Sequence, residues 1–191
     1  MNATPGVTLG ILAGGQGRRW GGRDKGLICH RGRPLIAHLC DTRAATLTEI
    51  LICCRANPYL YQHYGDRILC ESVADQGPCA GIVALLSACA TDTLCIIPVD
   101  LIGAPQAVVS TLTEDWTEND RASVLVDESG RHSPCLRLHR DTLPDCVAYL
   151  SSGRRKITGL LARVNARVIT VPSAWLQDAD EPQSLSDQPL D

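Results

Sequence analysis

Along the first hundred positions, short apolar runs alternate with segments of helical spacing. Val7–Leu12, Glu49–Cys54, Arg67–Cys70 and Leu94–Val99 read as strands, and Leu94–Val99 is the most apolar of them. Between them, Pro34–Leu47 carries apolar side chains at 35, 36, 39, 40, 44 and 47, which predicts a helix with proline in a tolerated first turn. Pro58–Tyr64 reads as a short helix and Ala80–Cys89 as a longer one. Strands that are almost continuously apolar and alternate with helices predict an α/β fold. Its sheet is mostly parallel and covered on both faces.

After Asp100 the rhythm changes. Ala122–Val126 and Ser133–Leu138 read as strands around a turn at Asp127–Arg131. Thr142–Ser151 and Lys156–Val164 read as helices, Arg167–Val171 as a last strand, and the polar stretch from Pro172 as a loosely held tail. No internal repeat or low-complexity segment interrupts the pattern. The 191 residues therefore read as one domain, 1–191, large enough to bury a core.

Charge and cysteine content narrow the function classes. A net charge of −3 recommends neither nucleic acid nor an anionic membrane as partner. The opening MNATPGVTLG has neither a basic start nor a long apolar run, and no apolar run approaches bilayer length, so a cytosolic protein is expected. Ten cysteines lie mostly within apolar runs, without a C-x-x-C pair. They are expected to be buried free thiols in a reducing compartment, not zinc ligands or a disulfide framework.

The chemistry concentrates in Leu12–Leu27, LAGGQGRRWGGRDKGL, directly after the first apolar run. Five glycines and four cations fall between Ala13 and Gly26, with Asp24 beside Lys25. Glycine lets backbone N–H groups approach phosphate oxygens closely, and Arg or Lys adds the charge that glycine lacks. The loop does not fit the P-loop, because Lys25 precedes Gly26 and not Ser or Thr. Nor does it fit the dinucleotide fingerprint, since Trp20 stands at the third glycine and the second strand ends in Cys54-Arg55-Ala56-Asn57 without an acid. A nucleoside triphosphate is the ligand that this loop suits.

In an open parallel sheet, ligands bind beyond the carboxyl ends of the strands. That rule gathers the glycine loop, residues 70–81 and Pro98–Asp100. Asp100 serves two uses equally well by position, as a Mg²⁺ ligand or as a cap on the following turn. Gln76–Gly81 reads as an ordinary strand-to-helix loop that can also place N–H groups near a base or ribose. Arg154, Arg155 and Lys156 read as a solvated helix end able to receive an anion. Asp178–Glu181 reads as exposed polar tail. The five histidines are scattered and no nucleophile grouping stands out. This fits transfer to a phosphate acceptor that is already ionised.

With these residues in view, the chain resembles the molybdenum cofactor guanylyltransferases. The resemblance rests on Leu12–Leu27, Gly77-Pro78-Cys79-Ala80-Gly81, Pro98-Val99-Asp100, His132-Ser133-Pro134 and Gly153-Arg154-Arg155, in the family's order and over nearly the whole chain. It implies a Rossmann-like, three-layer nucleotidyltransferase fold that moves GMP from GTP to the terminal phosphate of molybdopterin. Pyrophosphate leaves and Mg²⁺ assists. The N-terminal half would hold nucleotide and the C-terminal half the acceptor. By the same resemblance Leu12, Ala13, Gly14, Gly15, Gly17, Arg19 and Lys25 line the triphosphate side, with Lys25, Arg19 and Asp100 catalytic. Arg55, Glu71, Gly77, Pro78 and Gly81 belong to the nucleotide site, and Asp100 binds the metal. Arg154, Arg155, Lys156, Asp178 and Asp180 face the acceptor, and a molybdoenzyme or another protein of the cofactor pathway is an implied partner.

Four positions depart from the family pattern. Glu71 stands for the usual Asp, Arg55 for an expected Asn, Asp178-x-Asp180 for Asn-x-Asn, and Trp20 for Met. Arg55 bears on base selection and the Asp pair makes the acceptor side more acidic. The alternatives are therefore a cytidylyltransferase or other-acceptor enzyme of the same fold, or a non-catalytic binder of nucleotide or cofactor.

Overall fold

A computed structural model describes residues 4–14, 23–42, 46–70, 77–117 and 119–179. The central sheet has seven strands: β1 (Thr4–Ala13), β4 (Leu47–Cys54), β5 (Arg67–Cys70), β6 (Thr91–Pro98), β7 (Ala122–Val126), β8 (His132–His139) and β9 (Arg167–Thr170). Their order is β5-β4-β1-β6-β8-β7-β9. All neighbours pair in parallel except those of β8, which runs antiparallel between β6 and β7. The mostly parallel α/β sheet expected from the pattern is thus present. A two-residue-stranded hairpin, β2 (Cys29–His30) with β3 (Arg33–Pro34), stands apart from it.

Helices cover both faces. On one face, Leu9, Ile11, Ile52 and Ile97 pack against Ile36 and Leu39 of α1 (Leu35–Cys40). Tyr61 and the residues Val108, Val109 and Leu112 of α3 (Pro105–Glu114) complete that layer. On the other face, Leu51, Cys53, Leu94 and Ile96 meet α2 (Pro78–Ala88), α4 (Leu143–Ser151) and α5 (Ile157–Arg163). Successive strand residues alternate between the two layers, as the pleat requires. Burying each large aliphatic side chain contributes roughly 1.5–3 kcal/mol. Seven of the ten cysteines are buried, and all ten are free thiols. Burial pushes the Cys95 and Cys135 thiols up to about 12, so they behave as small apolar groups.

Three sequence expectations need correction. The helix predicted to reach Leu47 ends at Cys40, where Asp41 and Thr42 close it by N–H bonds to Ala37 and Leu39. Leu47 instead opens β4 opposite Val7, because an apolar residue satisfies a strand face as well as a helix face. Helix α3 was not foreseen, although Val108, Val109 and Leu112 have helical spacing behind Pro105. Residues 172–179 are not loose: Leu176 and Ala179 are buried, and Leu101 bridges Asp178 in antiparallel fashion.

Candidate active site

The carboxyl ends of β1 and β6 lie side by side, with Leu12 paired to Pro98 and the Val99 N–H bonded to the Leu12 carbonyl at 3.0 Å. Beyond them opens a cleft of about 320 Å³ lined by Leu12, Gly14, Lys25, Pro78, Asp100 and His132, among others. Segments distant in sequence therefore contribute to one site at the strand ends, where a parallel sheet places its ligands.

Lys25 reaches this cleft from a short 3₁₀ turn, Lys25–Leu27, whose form is set by its neighbours. Asp24 caps the turn by accepting from the Gly26 N–H at 3.3 Å. Gly26 is required: a Cβ there would lie 2.5 Å from the Tyr61 hydroxyl and 3.0 Å from Val99. The turn delivers the Lys25 ammonium to the Asp100 carboxylate at 2.5 Å, with the side chains 15% and 20% exposed. An ion pair this shielded from water holds both groups in place and still presents them to the cleft.

Other predicted positions are distributed as follows. Ala13 is buried opposite Cys54, at the β1–β4 strand ends. Gly77 takes the left-handed backbone that starts α2, with φ +65°. Pro78 lines the cleft and Gly81 is buried within α2. Arg55 follows β4, and its carbonyl accepts from the Cys70 thiol at 3.5 Å. It is not among the cleft-lining residues.

The basic cluster is pinned beside α2, where the Cys79 thiol donates to the Arg155 carbonyl at 3.2 Å. Arg155 itself donates to the Leu150 carbonyl at 2.7 Å and closes the end of α4. Arg154 sits 6.0 Å from the Tyr149 ring, and the exposed Lys156 leads into Ile157, a cleft residue. Asp178 is held against Leu101 directly after Asp100, and Ala179 donates its N–H to the Asp100 carbonyl at 2.8 Å. The expectation of an exposed tail fails at this point. Gly15, Gly17, Arg19, Glu71 and Asp180 lie outside the described residues.

Sequence reasoning gave no role to Asp24, Tyr61, Ile157 or Val99. His132 stood only within a family-matching segment. Tyr61 is legible only as an interior position of the short helix expected over Pro58–Tyr64. Among the described residues no group of three or more His, Cys, Asp and Glu could hold a metal by itself. Asp100 nonetheless fits Mg²⁺, which binds through one or two carboxylates completed by substrate phosphate oxygens.

Comparison with known proteins places the chain in a family. A molybdenum cofactor guanylyltransferase of Pseudomonas entomophila is 31% identical over 186 residues, 96% of this chain and 94% of its own length. The molybdopterin-guanine dinucleotide biosynthesis protein A of Archaeoglobus fulgidus superposes with TM-score 0.73 at 19% identity, covering 93% of this chain and 94% of that one. The 2-C-methyl-D-erythritol 4-phosphate cytidylyltransferase of Thermus thermophilus superposes with TM-score 0.70 at 18% identity, covering 94% and 95%. These two structures share the fold. The model of the MobA-like NTP transferase domain matches residues 9–168, from β1 into β9, and with the relative's identity it establishes that the chain belongs to that family.

Proposed function

We propose that the chain transfers GMP from GTP to the terminal phosphate of the molybdopterin cofactor. The observation that carries this reading is the Lys25–Asp100 pair at the mouth of the β1–β6 cleft, a cation and a carboxylate 2.5 Å apart where a triphosphate would end. The acceptor phosphate oxygen bonds to the α-phosphorus of GTP as the bond to the β-phosphate oxygen breaks, and pyrophosphate leaves. Lys25 neutralises charge developing on the transferred phosphoryl group, and Gly14, Gly15, Gly17 and Arg19 cradle the phosphates. Arg55, Glu71, Gly77, Pro78 and Gly81 serve the base and ribose side. Asp100 would hold Mg²⁺, which when bound supplies charge neutralisation between the phosphates.

On the acceptor side, the bond from Arg155 to Leu150 leaves Arg154 and Lys156 as the cations better placed for the pterin's phosphate. The resemblance assigns Asp178 and Asp180 to the same acceptor side, which these two carboxylates make more acidic. Ten free thiols, seven of them buried, support a reducing cytoplasmic setting. No helix among the described residues is long and apolar enough to cross a membrane.

The test is pyrophosphate release from GTP, CTP, ATP and UTP with Mg²⁺ and molybdopterin. GTP is expected to turn over, and Asp100→Asn to abolish release in a protein that still folds by circular dichroism. Release from CTP with GTP inert would make the enzyme a cytidylyltransferase, and Arg55, standing where the family has Asn, is the residue that bears on that choice. Tight nucleotide binding without turnover of any combination would make the chain a non-catalytic binder.

A further inference from the structure

Lys25 pairs with the Asp100 carboxylate in the cleft, and a second carboxylate, Asp24, adjoins it in sequence. The flexible stem of a lysine lets its ammonium exchange one carboxylate for another, and the pairing with Asp100 is the one that lies in the cleft lining. The described contacts of Asp24 are directed elsewhere: its Oδ1 accepts from the Gly26 N–H and from the hydroxyl of Tyr61. Tyr61 is fully buried, with 0% exposure, at the end of the 3₁₀ turn Pro58–Tyr61 that follows β4. Its hydroxyl also lies 2.5 Å from where a Cβ on Gly26 would be, so ring and turn are fitted together. A buried phenol normally needs a hydrogen-bond partner, and here that partner is a carboxylate adjoining a lysine proposed to be catalytic.

We infer that Tyr61 is a positioning residue: by engaging Asp24 it keeps that carboxylate from capturing the Lys25 ammonium and so preserves the Lys25–Asp100 pair. Burial, then the bond to Asp24, raises the phenol's pKa above its usual value, so it stays a donor throughout the working pH range. The functional consequence rests on the guanylyltransferase reading. The structural consequence does not.

Two measurements on Tyr61→Phe test this inference. The first is a crystal structure of the variant beside that of the wild type. Lys25 is expected to turn from Asp100 to Asp24; an unchanged Lys25–Asp100 pair overturns the inference whatever the enzyme's substrate proves to be. The second is steady-state kinetics with the nucleotide that the wild type uses. kcat is expected to fall about tenfold or more while the nucleotide KM shifts less, as for a small displacement of a group acting at the reaction centre. Adding Asp24→Asn, which keeps a capping amide but removes the competing charge, should recover part of kcat. A merely structural tyrosine gives the opposite pattern, with lowered thermal stability, an unchanged kcat and further damage from the second substitution. A wild type inactive with GTP would count against the functional reading alone, since the crystallographic comparison still decides the role of Tyr61.

Discussion

Single residues set the sharpest local geometry in this chain, and the β7–β8 turn shows how far one carboxylate can reach. Asp127 accepts at Oδ1 from the Ser129 N–H, the Ser129 hydroxyl and the Arg131 N–H, and at Oδ2 from Arg131 Nε. The Ser129 hydroxyl, followed by the Arg131 backbone N–H, lowers its carboxyl to about 2 from 3.8. A depressed carboxyl contributes stability above its unfolded pKa, and that contribution is lost as pH falls through the folded value. Asp127→Asn should therefore melt below wild type at pH 6, with the gap closing between about pH 4 and pH 2. A gap independent of pH would mean that the charge on Asp127 contributes nothing. Residue-scale features are legible when they lie within one local motif, as Lys25 does in the glycine-rich Leu12–Leu27 stretch. The bond from Tyr61 to Asp24 spans 37 positions, so no local pattern announced it.

At the scale of elements, the strands were readable because a strand buried on both faces leaves a continuous apolar run, as in β6. Periodicity is ambiguous at the end of α1, where the expected helix runs too far, and diluted in α3, which the pattern does not announce. Leu47 fitted both rhythms, and α3 mixes its apolar residues with Ser and Thr. What secures α3 is equally invisible to periodicity. Arg137, buried at 6% exposure on β8, donates to the Leu112 carbonyl at 3.1 Å and the Thr113 carbonyl at 2.9 Å, in the helix's last turn. It also donates to the Thr93 hydroxyl at 3.1 Å and lies 4.2 Å from the centre of a Trp116 ring. A cation suits a helix C-terminus, and burial lowers the pKa of this one from its usual value. Arg137→Leu leaves these acceptors without their donor and should cost about 2–3 kcal/mol, the scale of hydrogen bonds to a charged group. Urea denaturation measures it. An unchanged midpoint would show that water replaces the guanidinium without loss.

At the scale of the whole molecule, sequence gave the layers but not the path of the chain. Nothing in a local pattern says that β8 enters antiparallel between β6 and β7, or that residues 172–179 return to brace the strand end carrying Asp100. That return is a short clasp of backbone bonds: Ile102 and Gly103 donate to Gln177, Ala104 to Trp175, and Ala179 to Asp100. Polar composition hid it, because main-chain bonding makes no demand on side chains. The clasp has one point where a single atom tests it. A Cβ on Gly103 would lie 2.3 Å from the Ala174 carbonyl oxygen and 2.6 Å from that of Trp175, and backbone atoms cannot swing aside as a side-chain end can. Gly103→Ala should therefore displace residues 172–179, at a cost of about 1–3 kcal/mol as for other overpacked sites. Since Ala179 bonds the Asp100 carbonyl, its amide should exchange with deuterium faster in the variant, and pyrophosphate release should fall with it. If exchange at Ala179 accelerates while turnover stays at the wild-type rate, the clasp supports the fold alone and Asp100 is held by β6 and Lys25.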